Sequence, residues 1–292
     1  MVFILDGAMG TELERRGVPM TLPLWSAHAL LSNPDLVRQI HCDYVQAGAD
    51  IITTNTFRTQ RRTFAKIGRP ELAERMTRLA VRLAKEAVGE FPERQIRVAG
   101  SIAPLEDCFR PELSPGEADD EFLEIAEVLM EEGCDFLLIE TMNNITELRS
   151  ALRAGQLLKK VEYWASVTPS LTDPLKLLSG EDLGEALRVS EGEGASVFLV
   201  NCAPIPVIER AVQYTAERSP IPYGAYANNG TETETGAWRF DQSLSLPEFA
   251  GHAVRLQGWG ASVIGGCCGT TPEHIAEVVV ALRDKLRSPA GT

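Results

Sequence analysis

Eight short apolar runs alternate with eight helical segments along the 292 residues, and this alternation predicts an α/β fold, a single (β/α)8 TIM-type barrel. Most of the runs are near-continuously apolar, as strands of a parallel sheet buried on both faces must be. No long polar linker divides the chain. One closed domain is therefore expected over residues 1–287, with a disordered tail at 288–292.

The first strand is VFIL (2–5). The helical segment that follows, NPDLVRQIHCDYVQAGA, has Asn33 as N-cap and Pro34 in the first helical position. DIITTN (50–55) and RVAGS (97–101) are the second and third strands, with PELAERMTRLAVRLAKEAV between them. DDEFLEIAEVLMEEG leads to the fourth strand, FLLIE (136–140), and NITELRSALRAGQLLKK to the fifth, YWASV (163–167). GEDLGEALRVSEGEG precedes SVFLVN (196–201), and PVIERAVQYTAERS precedes YGAYA (223–227). LPEFAGHAVRLQGWG connects to the last strand, SVIGG (262–266), and TPEHIAEVVVALRDKL closes the chain. Several of these helices carry apolar residues at i, i+3, i+4 and i+7. A doubly wound open sheet is the alternative, but LDGAMGTEL fits the G-x-G-x-x-G phosphate turn badly.

Composition narrows the function. Hydrophobic residues make up 44% and charged residues 24%, ordinary for a soluble globular chain. No apolar run approaches the ~18 residues of a membrane span. MVFILD lacks the basic start and cleavage site of a signal peptide, so a cytoplasmic protein is expected. The net charge of −13 argues against a nucleic-acid partner. Six cysteines spread through such a chain read as reduced thiols.

In a (β/α)8 barrel, chemistry sits at the C-terminal ends of the strands. Those ends are Asp6 and Gly7, then Asn55, Thr56 and Phe57, then Ser101, Glu140, Asn201 with Cys202, Asn228 with Asn229, and Cys267 with Cys268. Three cysteines from two strands thus fall on one rim. Cys202, Cys267 and Cys268 form a candidate zinc site: thiolates suit Zn2+, and three protein ligands leave a fourth position open. Adjacent cysteines can share one metal only where the backbone turns sharply, and Gly265, Gly266 and Gly269 are placed to allow it. A vicinal disulfide and simple packing are the competing readings of the pair. Cys42 and Cys134 read as small buried hydrophobes, and Cys108 has no assigned role. His28, His41, His252 and His274 give no functional signal. Trp25, Phe57, Tyr226 and Trp238 read as packing residues, with a cation-binding pocket as the alternative.

These stretches together resemble the homocysteine S-methyltransferases, including the homocysteine-binding module of cobalamin-dependent methionine synthase and betaine–homocysteine methyltransferase. The likeness is carried by LDGAMGTELERRG at the start, ADIITTNTF (49–57), GSIAP (100–104), IETM (139–142), NC (201–202) and GGCCGTTPEHI (265–275). It implies a zinc-bearing barrel with Cys202, Cys267 and Cys268 as ligands. It implies that Glu140 holds the homocysteine amino group and that Asp6 and Gly7 line the amino-acid pocket. Asn55, Thr56 and Phe57 correspond to a segment near metal and substrate; Ser101 joins them as a substrate-binding candidate. The implied reaction is methyl transfer to the homocysteine thiol, giving methionine. The implied donor is a sulfonium, S-methylmethionine or S-adenosylmethionine. Betaine, or a methyl-corrinoid free or carried by a corrinoid protein, is the alternative donor, and a non-catalytic zinc-thiolate subunit is the alternative of another class. The chain departs from the family at YANNG (226–230), where many members have proline in YPN. It leaves no room for the folate, cobalamin and activation modules of full methionine synthase. Val18 to Ser32 is the candidate lid.

Overall fold

The computed structural model describes residues 2–232, 238–239 and 244–285. The strands are β1 (Phe3–Ile4), β2 (Ile51–Thr53), β3 (Arg97–Ile102), β4 (Phe136–Met142), β5 (Tyr163–Val167), β6 (Val197–Pro204), β7 (Tyr223–Asn228), β8 (Thr231–Glu232), β9 (Trp238–Arg239) and β10 (Val263–Gly266). Eight of them form one parallel sheet in the order β1-β10-β7-β6-β5-β4-β3-β2. The sheet closes on itself where Leu5 bridges Ile51. Asp50 N donates to Ile4 O at 2.7 Å and Asp6 N to Ile51 O at 3.0 Å across that seam. The expected (β/α)8 barrel is the observed fold. The remaining pair, β8 and β9, is an antiparallel excursion between β7 and the next helix.

The helices are α1 (Gly10–Arg15), α2 (His28–Ser32), α3 (Pro34–Ala47), α4 (Arg61–Ala65), α5 (Leu72–Gly89), α6 (Asp119–Glu131), α7 (Ile145–Leu157), α8 (Leu183–Gly192), α9 (Ile205–Ala216), α10 (Leu246–Gly258) and α11 (Pro272–Lys285). Eight of these, α3 and α5 to α11, follow the barrel strands in turn and pack against the sheet. Asn144 and Asp182 cap α7 and α8 with their side chains, at 2.8 and 3.0 Å. Asn33 does precede α3, but its side chain makes no cap. Only its carbonyl accepts, from Leu36 and Val37. None of the described helices is long and apolar enough to cross a membrane. The expected tail at 288–292 lies outside the described residues, as does the Trp238 side chain.

Side chains alternate along each strand, so every second residue points down the barrel axis. Leu5, Ile51, Ala99, Phe136, Leu138, Trp164, Val197, Leu199, Tyr226 and Val263 form that inner core. At the N-terminal end Arg97 lies over the Phe136 ring at 4.3 Å and pairs with Glu162 at 2.5 Å. Continuing the same alternation toward the C-terminal end changes the chemistry. Ala99 gives way to Ser101, Leu138 to Glu140, Trp164 to Ser166 and Leu199 to Asn201, all buried. The barrel is apolar below and polar at its mouth.

Gly224 of β7 is paired with Val263 of β10. A Cβ there would lie 1.9 Å from the Val263 carbonyl oxygen, which is main chain and cannot swing aside. Gly224→Ala is expected to cost at least about 3 kcal/mol and to spoil the β7–β10 pairing. Urea unfolding of the variant checks this; an unchanged midpoint would contradict the packing described.

Candidate metal centre and amino-acid pocket

The β10 strand ends at Gly266, and the chain turns at once through Cys267 to Thr270 into α11. Thr270 N and Oγ1 both donate to the Cys267 carbonyl, at 3.1 and 2.7 Å. Gly269 N donates to Thr11 Oγ1 at 2.9 Å, and Tyr44 Oη donates to the Ala8 and Thr270 carbonyls. The turn is therefore locked from α1 and α3. Of the three glycines expected to make it, Gly269 alone has a left-handed backbone, with φ 82°. Gly265 and Gly266 are regular strand residues that leave room for Leu5 and Thr270 instead.

This turn brings Cys267 and Cys268 to Cys202. The three sulfurs lie within 4.8 Å of one another, and all three cysteines are free thiols. Three thiolates on one zinc at the usual bond length stand about 3.8 Å apart, so little movement is needed. Cys267 is held well below the usual thiol range by hydrogen bonds from the Cys202 and Cys268 thiols, aided by the Cys268 N–H and the Asn201 amide. Cys202 is pushed up because its proton is engaged with Cys267. Cys202 carries φ 56°, outside any strand conformation, at a break in the β6–β7 register between Asn201 and Pro204. Cys108 is buried in the loop after β3, and burial pushes its thiol up to about 12. It is not part of the sulfur cluster. Cys42 and Cys134 are buried as expected.

Glu140 sits across the mouth from β6, 8% exposed. Ser101 Oγ donates to Glu140 Oε1 at 2.5 Å and Tyr226 Oη to Oε2 at 3.0 Å. Asp6 is also buried; its carboxylate accepts from Thr53 N at 2.8 Å and Thr53 Oγ1 at 2.9 Å, which ties β1 to β2. No cation faces either group among the described residues, so burial dominates: Asp6 is pushed up to about 8 and Glu140 to about 7. Gly7 presses against Tyr44 and Thr270, where a Cβ would come within 2.7 Å of Tyr44 Oη.

The other expected residues have different surroundings. Asn55 Nδ2 donates to the Ser26 carbonyl at 3.0 Å, and Thr56 Oγ1 to the Ser101 carbonyl at 2.7 Å. Their side-chain donors thus brace the rim. Phe57 packs edge to face on Trp25 at 5.8 Å, both half-buried. Within the segment from Val18 to Ser32, Trp25–Ala27 is a 3-10 helix that runs directly into α2. Tyr226, expected to pack or to join a cation pocket, does pack in the inner core, and its hydroxyl also holds Glu140. The period-two alternation of β7 points it inward, and that signal was there to be read. Asn201, Ser166 and Thr53 were missed as partners because nothing in their own strands shows what lies across the axis.

A family model for homocysteine S-methyltransferase matches residues 3–282. The chain belongs to the homocysteine S-methyltransferase family. Within this family it is 31% identical to a homocysteine S-methyltransferase of Bacillus subtilis strain 168, over 97% of this chain and 95% of that one. The crystal structure of the metallated homocysteine methyltransferase MmuM from Escherichia coli superposes with a TM-score of 0.81 at 29% identity, covering 98% of this chain and 96% of that one. The methionine synthase of Mycobacterium tuberculosis is 30% identical over 98% of this chain, which spans 25% of its length.

Because Asp6 and Glu140 hold protons when folded that the unfolded chain sheds near the usual carboxylate range, they favour folding fully in acid. That contribution is lost as pH rises through about 7 to 8. Thermal melts of the metal-free protein from about pH 5 to pH 9 should fall until about pH 7 to 8 and level off above it, and Glu140→Gln should remove the part of the fall that ends near 7. Parallel profiles for variant and parent would contradict the burial argument.

Proposed function

We propose that this chain is a zinc-dependent homocysteine S-methyltransferase that makes methionine, with a sulfonium, S-methylmethionine or S-adenosylmethionine, as donor. The observation that carries the reading is a cluster of five acidic groups at one barrel mouth: Asp6, Glu140, Cys202 and Cys268, all buried, and Cys267, half-buried. No Lys or Arg among the described residues compensates the two carboxylates. Such a cluster calls for cations from outside the chain. A divalent metal, a substrate ammonium group and a positively charged methyl donor are three that fit. Asn228 Oδ1, buried at the end of β7 without a hydrogen-bond partner among the described residues, is an oxygen that a cation would satisfy. The soft three-sulfur donor set favours zinc. We place the amino-acid pocket at Glu140, Asp6, Gly7 and Ser101, within a barrel domain of 1–287, in a reducing compartment such as the cytoplasm.

Bound zinc would lower the pKa of the substrate thiol and keep it as thiolate. Cys202, Cys267 and Cys268 would hold the metal, and their charge leaves the substrate sulfur electron-rich. Glu140, oriented by Ser101 and Tyr226, takes the ammonium group as a carboxylate and fixes the distance from amine to sulfur. The thiol proton departs before transfer. The sulfur lone pair then forms the new S–CH3 bond in line as the donor's S–CH3 bond breaks, and the donor leaves as a neutral thioether. The likeness to methionine synthase favours a methyl-corrinoid as the second reading.

Purified protein should hold one zinc per chain and form methionine from homocysteine with a sulfonium. Parallel assays with S-methylmethionine, S-adenosylmethionine, betaine and methylcobalamin test this. Turnover only with methylcobalamin would replace the donor, and a reduced, folded sample without zinc would end the reading. Cys202→Ser should lose more than about 100-fold in kcat/KM together with its zinc; full zinc and full rate would refute the metal's role. Glu140→Gln should weaken homocysteine binding by about 2–4 kcal/mol, measured by calorimetry on the zinc-loaded protein.

A further inference from the structure

We propose that Asn201 is a positioning residue that couples the amino-acid pocket to the metal centre, by locking the backbone kinks at Glu140–Thr141 and Asn201–Cys202 into one unit. The proposal rests on the roles assigned above to Glu140 and Cys202.

Two strands kink at the barrel mouth, and each kink presents one of these residues. Thr141, directly after Glu140, has φ 60°, and Cys202 has φ 56°. The left-handed region is strained for any side chain, and a β-branched threonine there is a true outlier. Both kinks coincide with a break in strand pairing. The β4–β5 register skips between Ile139 and Met142, and the β6–β7 register skips between Asn201 and Pro204. Something outside the ladders must hold them.

The Asn201 side chain does so for Thr141. It is fully buried and points down the axis from β6. Its Oδ1 accepts from Thr141 N at 3.3 Å and from Ser166 Oγ at 2.8 Å, and its Nδ2 donates to Thr141 Oγ1 at 2.9 Å. One amide therefore takes over the backbone donor left without a ladder partner in β4, is braced through β5, and belongs to the residue immediately before the Cys202 kink. Release of that amide frees Thr141 to return to extended geometry. Glu140 then shifts against Ser101 and Tyr226, and Cys202 against the other two sulfurs. A buried amide that only satisfied backbone groups would contribute stability without linking the two sites.

The test uses the full chain. Binding of homocysteine and of 4-mercaptobutanoate, which has the thiol and carboxylate but no amine, is measured by calorimetry on zinc-loaded protein. Zinc affinity is measured separately by competition with a chromophoric chelator. Glu140→Gln and Cys202→Ser give the reference losses of amine discrimination and of zinc. Asn201→Ala is expected to lose at least about tenfold in both readouts. Asn201→Asp keeps the acceptor oxygens and should retain amine discrimination within about threefold of the parent. Asn201→Ser, too short to reach Thr141, carries the same expectation as alanine should that variant not fold. Loss of stability with both readouts unchanged would overturn the coupling. A Glu140→Gln protein that still discriminates the amine would overturn the pocket assignment, and the coupling with it.

Discussion

Burial of acidic groups with no counter-charge among the described residues is the constraint on which the rest of the mouth depends. Two carboxylates and three thiols sit in the barrel's upper end, and the carboxylates are driven toward their neutral forms by burial. A protein interior tolerates such a cluster only when each group is hydrogen-bonded or met by a cation. Ser101, Tyr226 and Thr53 supply the hydrogen bonds. No Lys or Arg among the described residues supplies the opposite charge.

That demand explains the rigidity around it. The sulfurs converge because Thr270, Thr11 and Tyr44 pin the turn after β10, while a register break and a left-handed residue aim Cys202 from β6. Left-handed backbone at Thr141 and Cys202 costs about 1–2 kcal/mol at each position. The large core between sheet and helices offsets it. Strain of this kind persists where the surrounding structure over-determines it, and here it lies at the sulfur cluster and directly after Glu140.

The mouth also inherits its polarity from the strands themselves. The alternation that makes Phe136 and Leu138 inner-core residues points Glu140 down the same axis, and Val197 and Leu199 do so for Asn201. No separate device is needed to bring polar groups together at one end. A change from apolar to polar at the third inward position of β4 and β6 is enough.

The sequence by itself determined the barrel, the strand positions to within a few residues, and the placement of three cysteines and of Glu140 at one barrel mouth. Apolar periodicity and the position of residues at strand ends are local properties, and they can be read along a single chain. What only the tertiary structure decided is how those residues are held. Asn33 precedes its helix without capping it, Asn55 and Thr56 brace carbonyls, Gly265 and Gly266 provide room instead of the turn, and Tyr226 serves Glu140 from 86 residues away. The positive φ values at Thr141 and Cys202 are invisible in a threonine and a cysteine as letters. Such features arise from contacts across a closed barrel, where partners distant in sequence meet only once the sheet has curved and shut.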